Sequence, residues 1–112
     1  MRRVEAIVRP QSLEVVKAAL ADLGRGGVTV FGVTGHGVQG GVSQQWRGGT
    51  CTVDLLPKVS VVVVVQDNEV REVVESIVAA ARTHRMGDGK IFVSPVEDVI
   101  RIRTGESGSS AL

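Results

Sequence analysis

Apolar residues recur along this chain with two different periods, and the switches between them mark out its elements. Arg2 to Arg9 (RRVEAIVR) alternate apolar and polar side chains and stop at Pro10, which has no N–H to give to a ladder, so a strand is predicted there. Leu13, Val16, Ala19, Leu20 and Leu23 follow at three- and four-residue spacings between Ser12, the predicted N-cap, and Gly24; this is a helix with one apolar face. GVTVFGVTGHG, residues 27 to 37, returns to alternation and predicts a second strand. VDLLPKVSVVVVV ends in an unbroken run, Val61 to Val65, of the kind buried on both faces of a sheet. Asn68 is the predicted cap of a second helix, VREVVESIVAAART, with its stripe at Val70, Val73, Val74, Ile77, Val78 and Ala81. KIFV and VIRIRT, either side of Pro95, predict two short strands, or one bent strand and an extended tail.

The order strand, helix, strand, long loop, strand, helix, strand is the split βαβ arrangement of a ferredoxin-like α+β domain. Its antiparallel four-stranded sheet carries both helices on one face. The other face of so valine-rich a sheet needs a cover, so a homo-oligomer is expected, with copies of the chain packed on that face. TGHGVQGGVSQQWRGGTCT, residues 34 to 52, holds six glycines and little apolar spacing. It reads as a long loop, mobile over about 37–55 and unordered without ligand. The tail GESGSSAL, about 105–112, is likewise expected to be flexible.

Composition narrows the class. At 112 residues the chain is one domain, 43% hydrophobic and 22% charged, as in ordinary globular proteins. Thirteen basic against twelve acidic side chains leave +1, too little field to hold nucleic acid non-specifically. Cys51 is the only cysteine and no apolar leader precedes the first strand, so a reducing, cytoplasmic setting is expected. Val61 to Val65 falls far short of the roughly 20 residues of a membrane helix.

Candidate chemistry gathers in MGDGKIFVSPVEDVIRIRTGE, residues 86 to 106. Gly87 and Gly89 around Asp88 permit a tight backbone turn, and Lys90 follows as a point charge. Arg101 and Arg103 stand two apart on a segment read as extended, so both guanidinium groups would leave one face toward phosphate oxygens. Gly35, Gly37, Gly40 and Gly41 could turn backbone N–H groups around an anion. Together these suggest a polyphosphate clamp, although GDG is also a common turn and an arginine pair a common solvated face. Neither the phosphate-loop pattern nor the dinucleotide fingerprint is present. His36 and His84 have no second ligand at metal spacing, and Asp54 and Asp88 are lone carboxylates without a nucleophile, so no enzyme is read from these residues.

THRMGDGKIFVSPV followed by VIRIRTGE resembles the carboxy-terminal signature of the PII family of nitrogen-regulatory signal-transduction proteins. The likeness extends through VEAIVRP, GVTV, GHGVQGG and VDLLPKV, from Arg2 to about Glu106. The resemblance implies a homotrimer with ATP or ADP in each inter-subunit cleft. Gly87, Asp88, Gly89 and Lys90 would then form the loop over the phosphates, about 82–90. Arg101 and Arg103 would reach in from the neighbouring subunit, and Thr29, Val64, Gly35, Gly37 and Val38 would line the adenine and ribose side. With magnesium and ATP the family binds 2-oxoglutarate, which here would fall to Gln39, as magnesium ligand, Gly41 through its N–H, and Lys58 on the distal carboxylate. The long loop would dock on a target such as an ammonium channel, a metabolic enzyme or a transcription regulator.

The departures lie on that loop. The tyrosine modified in the enterobacterial branch is Cys51 here, the cyanobacterial phosphoserine position is Gly49, and the chain has no tyrosine. Tyrosine nucleotidylation is therefore excluded chemically. Val38 stands where a cation is frequent and Val62 where an acid is. Trp46, with Arg47 beside it, reads as a partner anchor. Two functions follow: a non-enzymatic sensor of ATP, ADP and 2-oxoglutarate, or a related trimer tuned to another small-molecule signal such as bicarbonate, or acting as a slow ATPase timer. Retained Gln39 and Lys58 favour the first.

Overall fold

The computed structural model describes residues 1–25, 27–35, 42–46, 49–53 and 55–112, with 42–46 and 49–53 described through their backbone alone. β1 (Arg2–Val8), β2 (Thr29–Gly35), β5 (Leu56–Val65) and β6 (Lys90–Pro95) form one antiparallel sheet in the order β2-β5-β1-β6. β3 (Val42–Trp46) and β4 (Gly49–Val53) form a separate two-stranded ribbon. α1 (Leu13–Asp22) and α2 (Val70–Ala81) complete the ferredoxin-like βαββαβ core. Among the described residues no helix is long and apolar enough to cross a membrane.

Strand alternation sorts the two faces. Val4, Ala6 and Val8 of β1 are almost wholly buried, as are Val61, Val63 and Val65 of β5. They pack with Val16 and Leu20 of α1 and Val73, Ile77 and Ala81 of α2, residues four apart on their helices. The valine run is buried on the opposite face too at Val62. That face otherwise carries Ile7, the half-exposed Phe31 and Phe92, and a polar group in which Glu5 accepts from Ser60 Oγ at 2.6 Å and Arg3 Nη1 at 3.2 Å. The Ser60 hydroxyl, and less strongly Arg3, holds the Glu5 carboxyl below its ordinary value.

Five local expectations are corrected. Ser12 occupies the cap position of α1, but its side chain makes no capping bond; a short 3-10 turn, Pro10–Ser12, leads in instead. Asn68 does not cap α2. A 3-10 turn, Asp67–Glu69, extends the helix upstream, and Gln66 with Glu69 forms a reciprocal capping box in which Gln66 N–H donates to Glu69 Oε1 at 3.1 Å. The glycine-rich stretch contains the ribbon β3–β4, registered Val42↔Val53 to Trp46↔Gly49. Its glycines masked two short runs with enough β-formers to pair.

The segment after β6 is a turn rather than an extended strand. Arg101 N–H donates to Glu106 O at 2.8 Å and Gly105 N–H to Arg101 O at 2.7 Å, with Gly105 at φ +74, so Arg101 and Arg103 do not share a strand face. The tail, expected to be flexible, folds back as a 3-10 turn, Gly108–Ala111, and buries Ala111.

Candidate functional site

The loop from α2 to β6 is organised around one carboxylate. Asp88 accepts from Thr83 N–H at 2.7 Å, from the Thr83 hydroxyl, from His84 N–H at 3.0 Å and from Arg9 Nη1 at 2.7 Å. These donors, the threonine hydroxyl first, hold its pKa at about 2. Asp88 thus shapes the loop internally, and its charge is unsuited to touching phosphate. Arg9 binds the Thr83 hydroxyl and the Met86 carbonyl as well, tying the end of β1 to the loop. Gly87 and Gly89 have φ of +95 and +107, and a Cβ on Gly89 would stand 1.9 Å from Ile7 O, so the turn lies directly on β1.

Lys58 joins the same end of the sheet. Its Nζ donates to Gly87 O at 3.2 Å, and its stem passes so close to Gly35 that a Cβ there would lie 3.0 Å from Lys58 Cγ. Burial, and then the Arg9 cation, push the Lys58 pKa down against the opposing pull of Asp88. The register aligns Ile7 with both Ser60 and Lys90, so alternation directs Lys58 and Lys90 to the uncovered face. Gly35, Lys58 and Gly87 to Lys90 therefore converge, with Arg9 beside them: three cations against one internally satisfied carboxylate.

The remaining described candidates stand elsewhere. Thr29 pairs with Val62, and Val64 lies six residues from Lys58 along β5, about 20 Å at strand rise. Arg101 joins this second end through the tail. Its guanidinium donates to Ser110 O at 3.3 Å and Leu112 O at 3.5 Å, and Leu112 lines a cavity of about 280 Å³ with Val64 and Gly27. Arg103 is exposed on the same turn. Thr29 and Val64 thus do not adjoin Gly35 within one protomer. The expected site is split into two halves at opposite ends of the sheet, and alternation places Thr29 and Val64 on the uncovered face as well.

Gly37, Val38, Gln39, Gly41 and Arg47 lie outside the described residues, as do the side chains of Trp46 and Cys51. Among the described residues no three His, Cys, Asp or Glu side chains group to hold a metal ion. Sequence reasoning missed Arg9 and Thr83. Arg9 is the next-to-last residue of VEAIVRP, and its position just before Pro10, where β1 must stop, was the available signal.

Comparison with known proteins identifies the family of the chain. The family model described as Nitrogen regulatory protein P-II matches residues 1–106. Proteins named Nitrogen regulatory protein P-II from Nostoc punctiforme and Microchaete diplosiphon are 54% and 53% identical over 112 residues, covering all of both chains. Nitrogen regulatory protein P-II 2 of Methanothermobacter thermautotrophicus is 50% identical over 112 residues, covering all of this chain and 97% of the relative. With its fold, its glycine-bounded loop and its full length aligned to such relatives, the chain belongs to the P-II family of nitrogen regulatory proteins.

Proposed function

We propose that the protein is a non-enzymatic sensor of nitrogen and carbon status that reads ATP, ADP and 2-oxoglutarate in clefts between three copies of the chain. The observation that carries this is Lys58 Nζ held 3.2 Å from Gly87 O, which brings the cation suited to a dicarboxylate against the glycine loop suited to phosphates. The separation of the two half-sites supports the inter-subunit placement. Gly87 to Lys90 of one copy and Thr29, Val64, Arg101 and Arg103 of the next would meet only if their uncovered faces pack together.

In this reading Gly87 and Gly89 present backbone N–H groups to the phosphates and Lys90 neutralises them, while Asp88 and Arg9 keep the loop in shape. A magnesium ion would take oxygens from Gln39, the phosphates and the keto acid, leaving Lys58 for the distal carboxylate. Ligand state would bias the segment from 37 to 55 between forms that a target protein binds unequally, with Trp46 and Arg47 in the contact. A cytoplasmic location and a target such as an ammonium channel, metabolic enzyme or transcription regulator belong to the same proposal.

The test is calorimetric titration with 2-oxoglutarate alongside magnesium-ATP, ADP or no nucleotide. Binding only with magnesium-ATP, lost in Lys58→Ala, is expected. Tight nucleotide binding without any response to 2-oxoglutarate would instead favour a P-II relative tuned to another signal, as Val62 in place of an acid suggests.

A further inference from the structure

We propose that residues 107–112 are a built-in competitor for the half-site around Val64 and Arg101, displaced when nucleotide binds. This rests on the nucleotide reading above. The segment starts where Ser107 pairs with Ile100, and continues through the 3-10 turn that seats Ala111 with 8% of its surface exposed. Ser109 Oγ meets Gln66 Oε1 at 3.4 Å, and Leu112 lines the cavity that Val64 shares. The tail therefore touches the end of β5 and holds Arg101 at once.

Both terminal nitrogens of Arg101 are engaged by this stretch and the glutamate just before it. Nη1 donates to Glu106 Oε1 at 3.4 Å, and Nη2 to Ser110 O at 3.3 Å and Leu112 O at 3.5 Å. These are the donors that would fork onto a phosphate. All three distances exceed the roughly 3.2 Å upper end of good N–H···O bonds. A phosphate oxygen carries formal charge and makes shorter, stronger bonds to guanidinium, so it takes Arg101 when present. Gly105 and Gly108, at φ +74 and +78, stand just before and just inside the start of the segment as backbone pivots, and Ala111 is its only buried residue, so little apolar area holds it down.

The experiment compares the full chain with one ending at Glu106, each also as Arg101→Ala and Arg103→Ala, titrated calorimetrically with ATP and with ADP. Removing the tail is expected to tighten nucleotide binding roughly three- to tenfold. Arg101→Ala should erase the difference between the two lengths, and Arg103→Ala should preserve it. Equal affinities at both lengths overturn the competition. Ala111→Asp unseats the tail without shortening the chain and should tighten binding in the same direction, which covers the case of a shortened chain that fails to fold. Hydrogen exchange without nucleotide gives an independent readout: amides 108 to 112 should exchange faster in Arg101→Ala. Unchanged exchange there overturns the tail's hold on Arg101 and leaves the nucleotide reading intact. Absence of nucleotide binding at either length, with exchange still accelerated, overturns the nucleotide reading and the competition together.

Discussion

Gly89 is the position where a single methyl group would do most harm, because the space for a Cβ is already taken by Ile7 O and the backbone is left-handed. Gly89→Ala is expected to cost about 3 kcal/mol or more, read from denaturant unfolding, and to remove the proposed nucleotide binding. Asp88 makes a pH statement. Its folded pKa of about 2 lies below the ordinary carboxylate value of about 4, so its stabilisation is complete above that value and lost as pH falls toward 2. Acid unfolding followed by circular dichroism should show a change across that window that Asp88→Asn lacks. Lys58 has the opposite character, its charged form disfavoured by burial and Arg9. A dianion bound beside it would raise its pKa again, so binding at alkaline pH should take up protons. Calorimetry in two buffers of different ionisation enthalpy measures that uptake, which Lys58→Ala should remove.

Elements were legible wherever side-chain period and burial agreed. The four-residue stripes of α1 and α2 and the alternation of β1 made both helices and the central strand readable from residue types alone. Boundaries were less so, since a 3-10 turn before each helix starts the helical backbone upstream of the first apolar residue, and at α2 takes the capping group back to Gln66. Gln66→Ala should cost α2 about 1 kcal/mol, measured by thermal unfolding, whereas Asn68→Ala should cost a few tenths at most. VIRIRT alternates like a strand, but Asp98 Oδ1 accepts from Val99 N–H at 2.8 Å and Gly108 N–H at 3.0 Å, which favours reversal of the chain. Periodicity reports which face a residue occupies and not which end of the sheet. The convergence of Lys58 with Gly87, and the separation of Val64 from both, therefore had to come from register.

At the scale of the whole molecule, Phe31, Phe92, Ile7 and Val62 surround a Glu5–Ser60–Arg3 group on a sheet face that neither α1 nor α2 covers. If the proposed trimer forms through this face, Phe92→Asp is expected to leave monomers in size-exclusion chromatography with light scattering, and to abolish the proposed nucleotide binding along with it, since each cleft would need two copies. The topology carries one more consequence. β1, the first element of the described fold, lies between β5 and β6, and Arg9 grips Asp88 79 positions later. A growing chain on the ribosome can form its first helix early, yet its opening strand must wait for both neighbours until residue 95 has emerged. The glycine loop is therefore shaped only once β6 has closed on β1, since Arg9 and Asp88 flank the Ile7–Lys90 end of that pairing.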